Sequence, residues 1–145
     1  MTFRNAAVAA AVSAAGLAPA ALPAVADQTG IPARALEAYV TAAQSPEACP
    51  GMRWSVLAGI YRQESGHGTH GGSTVGPDGR VDPPIYGVPV DWLDGDRAQG
   101  PGQFMTSSWA IYGRGDPQDI DDAAMASVRH LWSRNQAPIR IHRRR

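Results

Sequence analysis

"RWSVLAGIYRQESG", Arg53 to Gly66, decides how the rest of the chain is read. Trp54, Leu57, Ile60 and Tyr61 recur at the spacing of one helical face, while Arg62 and Gln63 fall outside it. Gly66 supplies the residue that ends such a helix without a steric penalty. The spacing therefore predicts a helix over 53–65 packed against a core. Glu64 falls on the same stripe, in the last turn. A carboxylate there loses hydration and meets the negative end of the helix dipole, and both effects favour its protonated form. A carboxyl kept protonated can donate to a leaving oxygen, the general-acid step of glycoside cleavage. The competing reading of Glu64 is a half-exposed side chain snorkelling past a helix end.

Working outward, "IPARALEAYVTAAQS" (31–45) places Leu36, Tyr39, Val40 and Ala43 on one helical face, and "SPEACPG" (45–51) breaks it. From His67 to Gln99 no helical period survives, and Gly, Pro and Asp dominate. A loop of that length in a small domain points to a binding site or to disorder. Within it "GPDGR" (76–80) reads as a tight turn, and "PPIYGVPV" (83–90) supports at most a short strand. Order returns with "GPGQFMTSSWAIYG" (100–113), read as a short helix capped by Thr106 or Ser107. The last helix, "DIDDAAMASVRHLWSR" (119–134), has Asp119 as its cap and Asp121 and Asp122 at the positive dipole end. Its buried stripe is Ile120, Ala124, Val128, Leu131 and Trp132. No internal repeat is present. The expected class is mainly α, one small helical domain with a long irregular excursion.

The N-terminus reads as an export signal. "MTFRN" is followed by the alanine-rich run "AAVAAAVSAAGLAPAALPAV", and "AVA" at Ala24–Ala26 offers the small residues a signal peptidase recognises ahead of Asp27. Pro19 and Pro23 interrupt the run, which disfavours a membrane anchor. The expected organisation is a signal peptide over 1–26, a domain over 27–134 and a basic tail over 135–145. Thirteen acidic and thirteen basic residues cancel to a net charge of zero, so charge points to neither nucleic-acid nor membrane partners. A single cysteine, Cys49, leaves no internal disulfide to form.

Most glycosidases need a second carboxylate across the scissile bond. Asp78, Asp82, Asp91, Asp94 and Asp96 are available in the long loop, yet contexts such as "PDG" and "LDGD" suit solvated turn residues better. "HGTH" sets His67 and His70 three apart beside Glu64, but glycines surround them and a zinc site needs three or four fixed ligands. "LDGD" lacks the spaced oxygen ligands of a calcium loop. No metal and no cofactor are expected.

"GIYRQESGHG" (59–68) together with "RAQGPGQFMTSSWAIYG" (97–113) resembles the transglycosylase domain of lytic murein transglycosylases. The likeness is to the membrane-bound lytic transglycosylase B branch and its secreted actinobacterial relatives. "VGPDGRVDPPIYG" and "DPQDIDDAAMASVRHL" resemble the segments between and after these motifs, so the likeness spans about Ile31 to Trp132. It implies a lysozyme-like α+β fold, mainly helical, whose long loop forms a substrate groove. It implies a secreted, wall-associated monomer acting on peptidoglycan glycan strands. Glu64 matches the family's single catalytic acid/base, Ser65 follows as the motif requires, Gln103 matches the glutamine that contacts the glycan, and Phe104 lines the groove. In the family's mechanism the acid protonates the oxygen leaving N-acetylmuramic acid. The carboxylate then takes the proton of that sugar's own 6-hydroxyl, which closes a 1,6-anhydro ring, so no second carboxylate is needed.

Departures from the family pattern shape the alternatives. Thr106 stands where the signature often has proline, and "GRG" before Asp116 is shorter than the calcium-binding insert of many relatives. The family's later tyrosine–asparagine motif has no counterpart, since the asparagines are Asn5 and Asn135 and no tyrosine follows Tyr112. Relatives with a second cysteine near Leu131 would pair it with Cys49. The chain is therefore expected to be shortened or frame-shifted after about Arg134. The competing functions are a catalytically weak peptidoglycan-binding module and a lysozyme-type hydrolase that uses water.

Overall fold

The computed structural model describes residues 19–93 and 95–136. Most of the expected leader, Asp94 and the basic tail from residue 137 lie outside them. Five α-helices and one hairpin are present among the described residues: α1 (Leu22–Thr29), α2 (Ala33–Ala43), α3 (Trp54–Ser65), β1 (Thr74–Val75), β2 (Val81–Asp82), α4 (Thr106–Tyr112) and α5 (Ile120–Gln136). The class is mainly α, as the periodicity predicts, with a small antiparallel hairpin whose strands precede the 83–90 stretch read as at most a short strand. No helix among the described residues is long and apolar enough to cross a membrane.

α2 is the hub, packing on α1, α3 and α5. The stripe of α2 explains this. Leu36 and Tyr39 are fully enclosed, and Ala35, Ala38 and Ala42 present small faces that let neighbouring helices approach. Leu57 and Tyr61 of α3 and Ile120, Ala123, Ala124 and Val128 of α5 complete the core. Each buried Leu, Ile or Val contributes about 1.5–3 kcal/mol of apolar burial. α1 starts inside the run read as a leader and continues unbroken through Ala26 and Asp27. Ala26 is buried, and Leu22 and Val25 pack beside it on the core.

Charged side chains tie the helices at their ends. The Arg34 guanidinium on α2 grips both oxygens of the Asp121 carboxylate in the first turn of α5. Arg129 donates from Nε to Glu47 at 2.6 Å and from Nη1 to the Tyr112 carbonyl at 2.9 Å, joining the α2–α3 connection and the end of α4 to α5. The Asp119 cap of α5 is present, its Oδ1 accepting from the Asp121 and Asp122 amides at 2.8 and 3.2 Å. The cap of α4 is not Thr106 or Ser107. Thr106 is already inside the helix, Met105 holds the cap position with no side-chain bond, and the Thr106 amide donates to Asp96 at 3.2 Å. A carboxylate from the preceding loop does the work a local hydroxyl was expected to do.

The long excursion between α3 and α4 is stitched by backbone bonds. "GPDGR" is the tight turn of the hairpin, the Gly79 amide donating to the Gly76 carbonyl at 2.9 Å. Isolated pairings join Tyr86 to Gln99, Val90 to Asp96 and Gln99 to Phe104. The loop is then pinned to the start of α5 by the buried Gln118. Its side-chain amide donates to the Ile85 carbonyl at 2.9 Å and accepts from the Ile85 amide at 3.0 Å, while its own carbonyl accepts from Val81 at 2.9 Å. Gly100 makes a further close approach. A Cβ there would fall 1.7 Å from the Pro117 carbonyl oxygen, at a φ of +74° that also favours glycine.

Candidate active site

The last turn of α3 carries Glu64, and the structure corrects its expected burial. The buried row of α3 is Leu57, Ala58, Tyr61 and Ser65. Leu57, Tyr61 and Ser65 follow i, i+4, i+8 with Ala58 beside them, so the centre of the buried face sits one residue beyond the expected stripe. Ile60 and Glu64 fall at its edge. Ile60 is half-buried and Glu64 is exposed, its side chain making no hydrogen bond or ion pair to another described residue. The helix then ends as the sequence predicts, with Gly66 in the left-handed conformation at a φ of 58°.

Ser65, next to Glu64, is the buried member of the pair, only 2% exposed. Its hydroxyl donates to the Pro101 carbonyl at 2.7 Å and accepts from the Gly68 amide at 2.8 Å. Pro101 belongs to "GPGQF", so one side chain joins the end of α3 to the second sequence motif 36 residues away. Tyr61 lies beneath the same junction. A Cβ on Gly102 would come within 2.9 Å of the Tyr61 hydroxyl oxygen. That hydroxyl shares a 3.1 Å hydrogen bond with Ser127 on α5. Burial first, and then the charge of Glu64, push the Tyr61 hydroxyl above its ordinary range against the opposing pull of Ser127.

Gln103 is half-buried, with a positive φ of 49°. Its amide nitrogen donates to the Gly100 carbonyl at 2.8 Å, and its amide oxygen lies against Gly87 of the long loop. One amide hydrogen and the oxygen thus lack a hydrogen-bond partner among the described residues. Phe104 is 7% exposed and packs its ring inward, edge-on to Trp109 at 5.6 Å and near His130. It supports the wall of the site and presents little surface of its own. Beside Gly87, the Arg97 guanidinium covers the Tyr86 ring at 4.1 Å. An open depression of about 560 Å³ lies between Gly95–Arg97 and the start of α4, and it includes none of Glu64, Ser65, Gln103 or Phe104.

The two histidines of "HGTH" part company. His67 is buried and its Nδ1 lies 3.2 Å from the Tyr39 hydroxyl, whereas His70 is exposed. Among the described residues no group of three His, Cys, Asp or Glu side chains converges as metal ligands. Of the loop aspartates, Asp78 accepts from the Arg80 amide within the hairpin turn and Asp96 caps α4, both turn and cap duties. Asp82 and Asp91 are exposed. Sequence reasoning missed Gln118 and weighed His67 only as a metal ligand. Gln118 bonds to a residue 33 positions away, which no local pattern records. His67 carried a signal, a non-glycine residue between two glycines immediately after the helix stop. Comparison of the chain with protein-family models, curated proteins and solved structures finds no match.

Proposed function

We propose that this chain is an exported peptidoglycan lytic transglycosylase with a lysozyme-like helical domain. It cleaves the bond between N-acetylmuramic acid and N-acetylglucosamine and leaves 1,6-anhydro ends. The observation that carries the reading is the hydrogen bond from Ser65 to Pro101, which ties the residue after Glu64 to the segment that carries Gln103. Two motifs that resemble one family only as text thus share a physical link. Glu64 serves as the acid and then the base. Gln103 offers its amide oxygen and second amide hydrogen, free of partners among the described residues, to the acetamido and hydroxyl groups of an amino sugar. A glycan lying over Glu64 removes water from a carboxylate that is exposed in the free chain, and attack by the sugar's own 6-hydroxyl gains from proximity.

The exposure of Glu64 also favours a second reading, a peptidoglycan-binding module with weak catalysis. Purified sacculi separate the two. On the transglycosylase reading the wild-type chain releases soluble muropeptides one water lighter than reducing-end fragments. Glu64→Gln, near-isosteric but unable to donate a proton, lowers that release by about a hundredfold or more while wall binding persists. Fragments with ordinary reducing ends would mark a hydrolase. Binding without any release would leave only the module.

A further inference from the structure

Among the described residues two that are not glycine hold a positive φ, His67 at 64° and Gln103 at 49°. Each belongs to one of the two motifs that meet at Ser65. The left-handed region costs a residue with a Cβ on the order of 1 kcal/mol or more, and such residues gather at functional sites. Gly66 and Gly68 flank His67, so a third glycine would meet the backbone requirement more cheaply. The side chain must therefore contribute something that offsets the strain. It is 7% exposed and turns back beneath the end of α3, where Nδ1 meets the Tyr39 hydroxyl of α2 at 3.2 Å. The two rings lie 5.9 Å apart, and the His67 amide donates to the Tyr61 carbonyl at 2.9 Å.

Glu64 thus stands just ahead of two anchors of different direction. Ser65 ties the turn to Pro101, and His67 ties it to α2. A last helical turn frays when its carbonyls lack partners. An exposed carboxylate on such a turn needs its backbone held if it is to meet a glycosidic oxygen within hydrogen-bond reach. We propose that His67 is a positioning residue for Glu64, acting through its hydrogen bond to Tyr39. The proposal rests on the reading of Glu64 as the general acid.

The test uses Tyr39→Phe and His67→Gly, singly and together, with Glu64→Gln alongside. Tyr39→Phe keeps the ring that packs 4.9 Å from Tyr61 and removes only the hydroxyl. His67→Gly keeps the backbone conformation and removes only the side chain. Turnover of soluble glycan strands is measured at a temperature where circular dichroism finds each variant folded. Each single variant is expected to lower kcat by about 10- to 100-fold with KM unchanged, the range for a reacting group displaced by about 1 Å. The double variant is expected to be no slower than the slower single, because both remove one interaction. A wild-type kcat in Tyr39→Phe overturns the proposal, as do losses that multiply in the double variant. If His67→Gly does not fold, Tyr39→Phe alone decides. Wild-type cleavage by Glu64→Gln instead overturns the reading of Glu64, and a wild-type chain that releases nothing overturns both.

Discussion

Replacing Ser65 by alanine removes one oxygen and leaves two buried backbone groups without partners. The Gly68 amide donates to Ser65 Oγ at 2.8 Å, and the Pro101 carbonyl accepts from it at 2.7 Å. The site is 2% exposed, so water cannot replace the hydroxyl without local opening. An orphaned buried donor or acceptor costs about 1–3 kcal/mol, and partial relaxation keeps the pair near about 3 kcal/mol in total. For a domain of this size that lowers Tm by on the order of 10 °C. Thermal melting followed by circular dichroism reads the shift, and amide exchange at Gly68 should accelerate in step. Thr69→Ala is the control, since its hydroxyl donates to the Gly66 carbonyl at an exposed site and its loss should move Tm by less than about 2 °C. A Ser65→Ala protein melting within about 2 °C of wild type would refute the claim that this hydroxyl joins the two motifs.

Gln118→Leu should detach the long loop from α5 by leaving the Ile85 amide and carbonyl unpaired, at a cost of about 2–4 kcal/mol. Limited proteolysis confined to residues 83–99 is the expected signature, and an uncut loop would count against it. Acid should weaken the fold through two imidazoles. Burial and then Arg62 push His67 below its ordinary value of 6.5, and burial and then Arg134 do the same at His130. The unfolded chain therefore takes up protons first, so this stability is complete above about pH 6.5 and falls as pH drops below it. Urea midpoints between about pH 7.5 and 5 should decline, and less so in a His67→Asn, His130→Asn double variant. A midpoint flat across that range in the wild type would contradict the assignment.

Much of the helical frame is legible because its causes are local. The 3.6-residue recurrence of Leu36 and Tyr39, of Leu57 and Tyr61, and of Ile120, Ala124 and Val128 marks three helices that bury those residues. Asp119 and Gly66 sit where a cap and a stop belong. What escaped depends on partners distant in sequence. Asp96 caps α4 from ten residues upstream, so a hydroxyl at the helix start was the natural but incorrect choice. Glu64 looked buried because a stripe read from spacing has an uncertain centre, and a shift of one residue moves an edge position into solvent. α1 begins inside the segment read as a leader and runs past its end, and its register across Ala26 and Asp27 carries no mark in the leader's composition. The sequence names Glu64 and Gln103 but holds no sign that Ser65 ties their two segments together through Pro101, since a hydroxyl that bridges 36 residues has no period.

α1 has a consequence for the order of events in the life of the chain. The bond after Ala26, where an export peptidase would act, lies within a helix whose apolar side is docked on α2. Proteases cut chains that have opened, and the rate follows the fraction of time the segment spends open. On the proposed export, processing at Ala26 and docking of α1 would therefore compete. If the chain is exported as proposed, folding before export would keep the bond after Ala26 shielded. A chain threaded through unfolded would instead present the bond bare, and cleavage there would leave the core to form without Leu22, Val25 and Ala26.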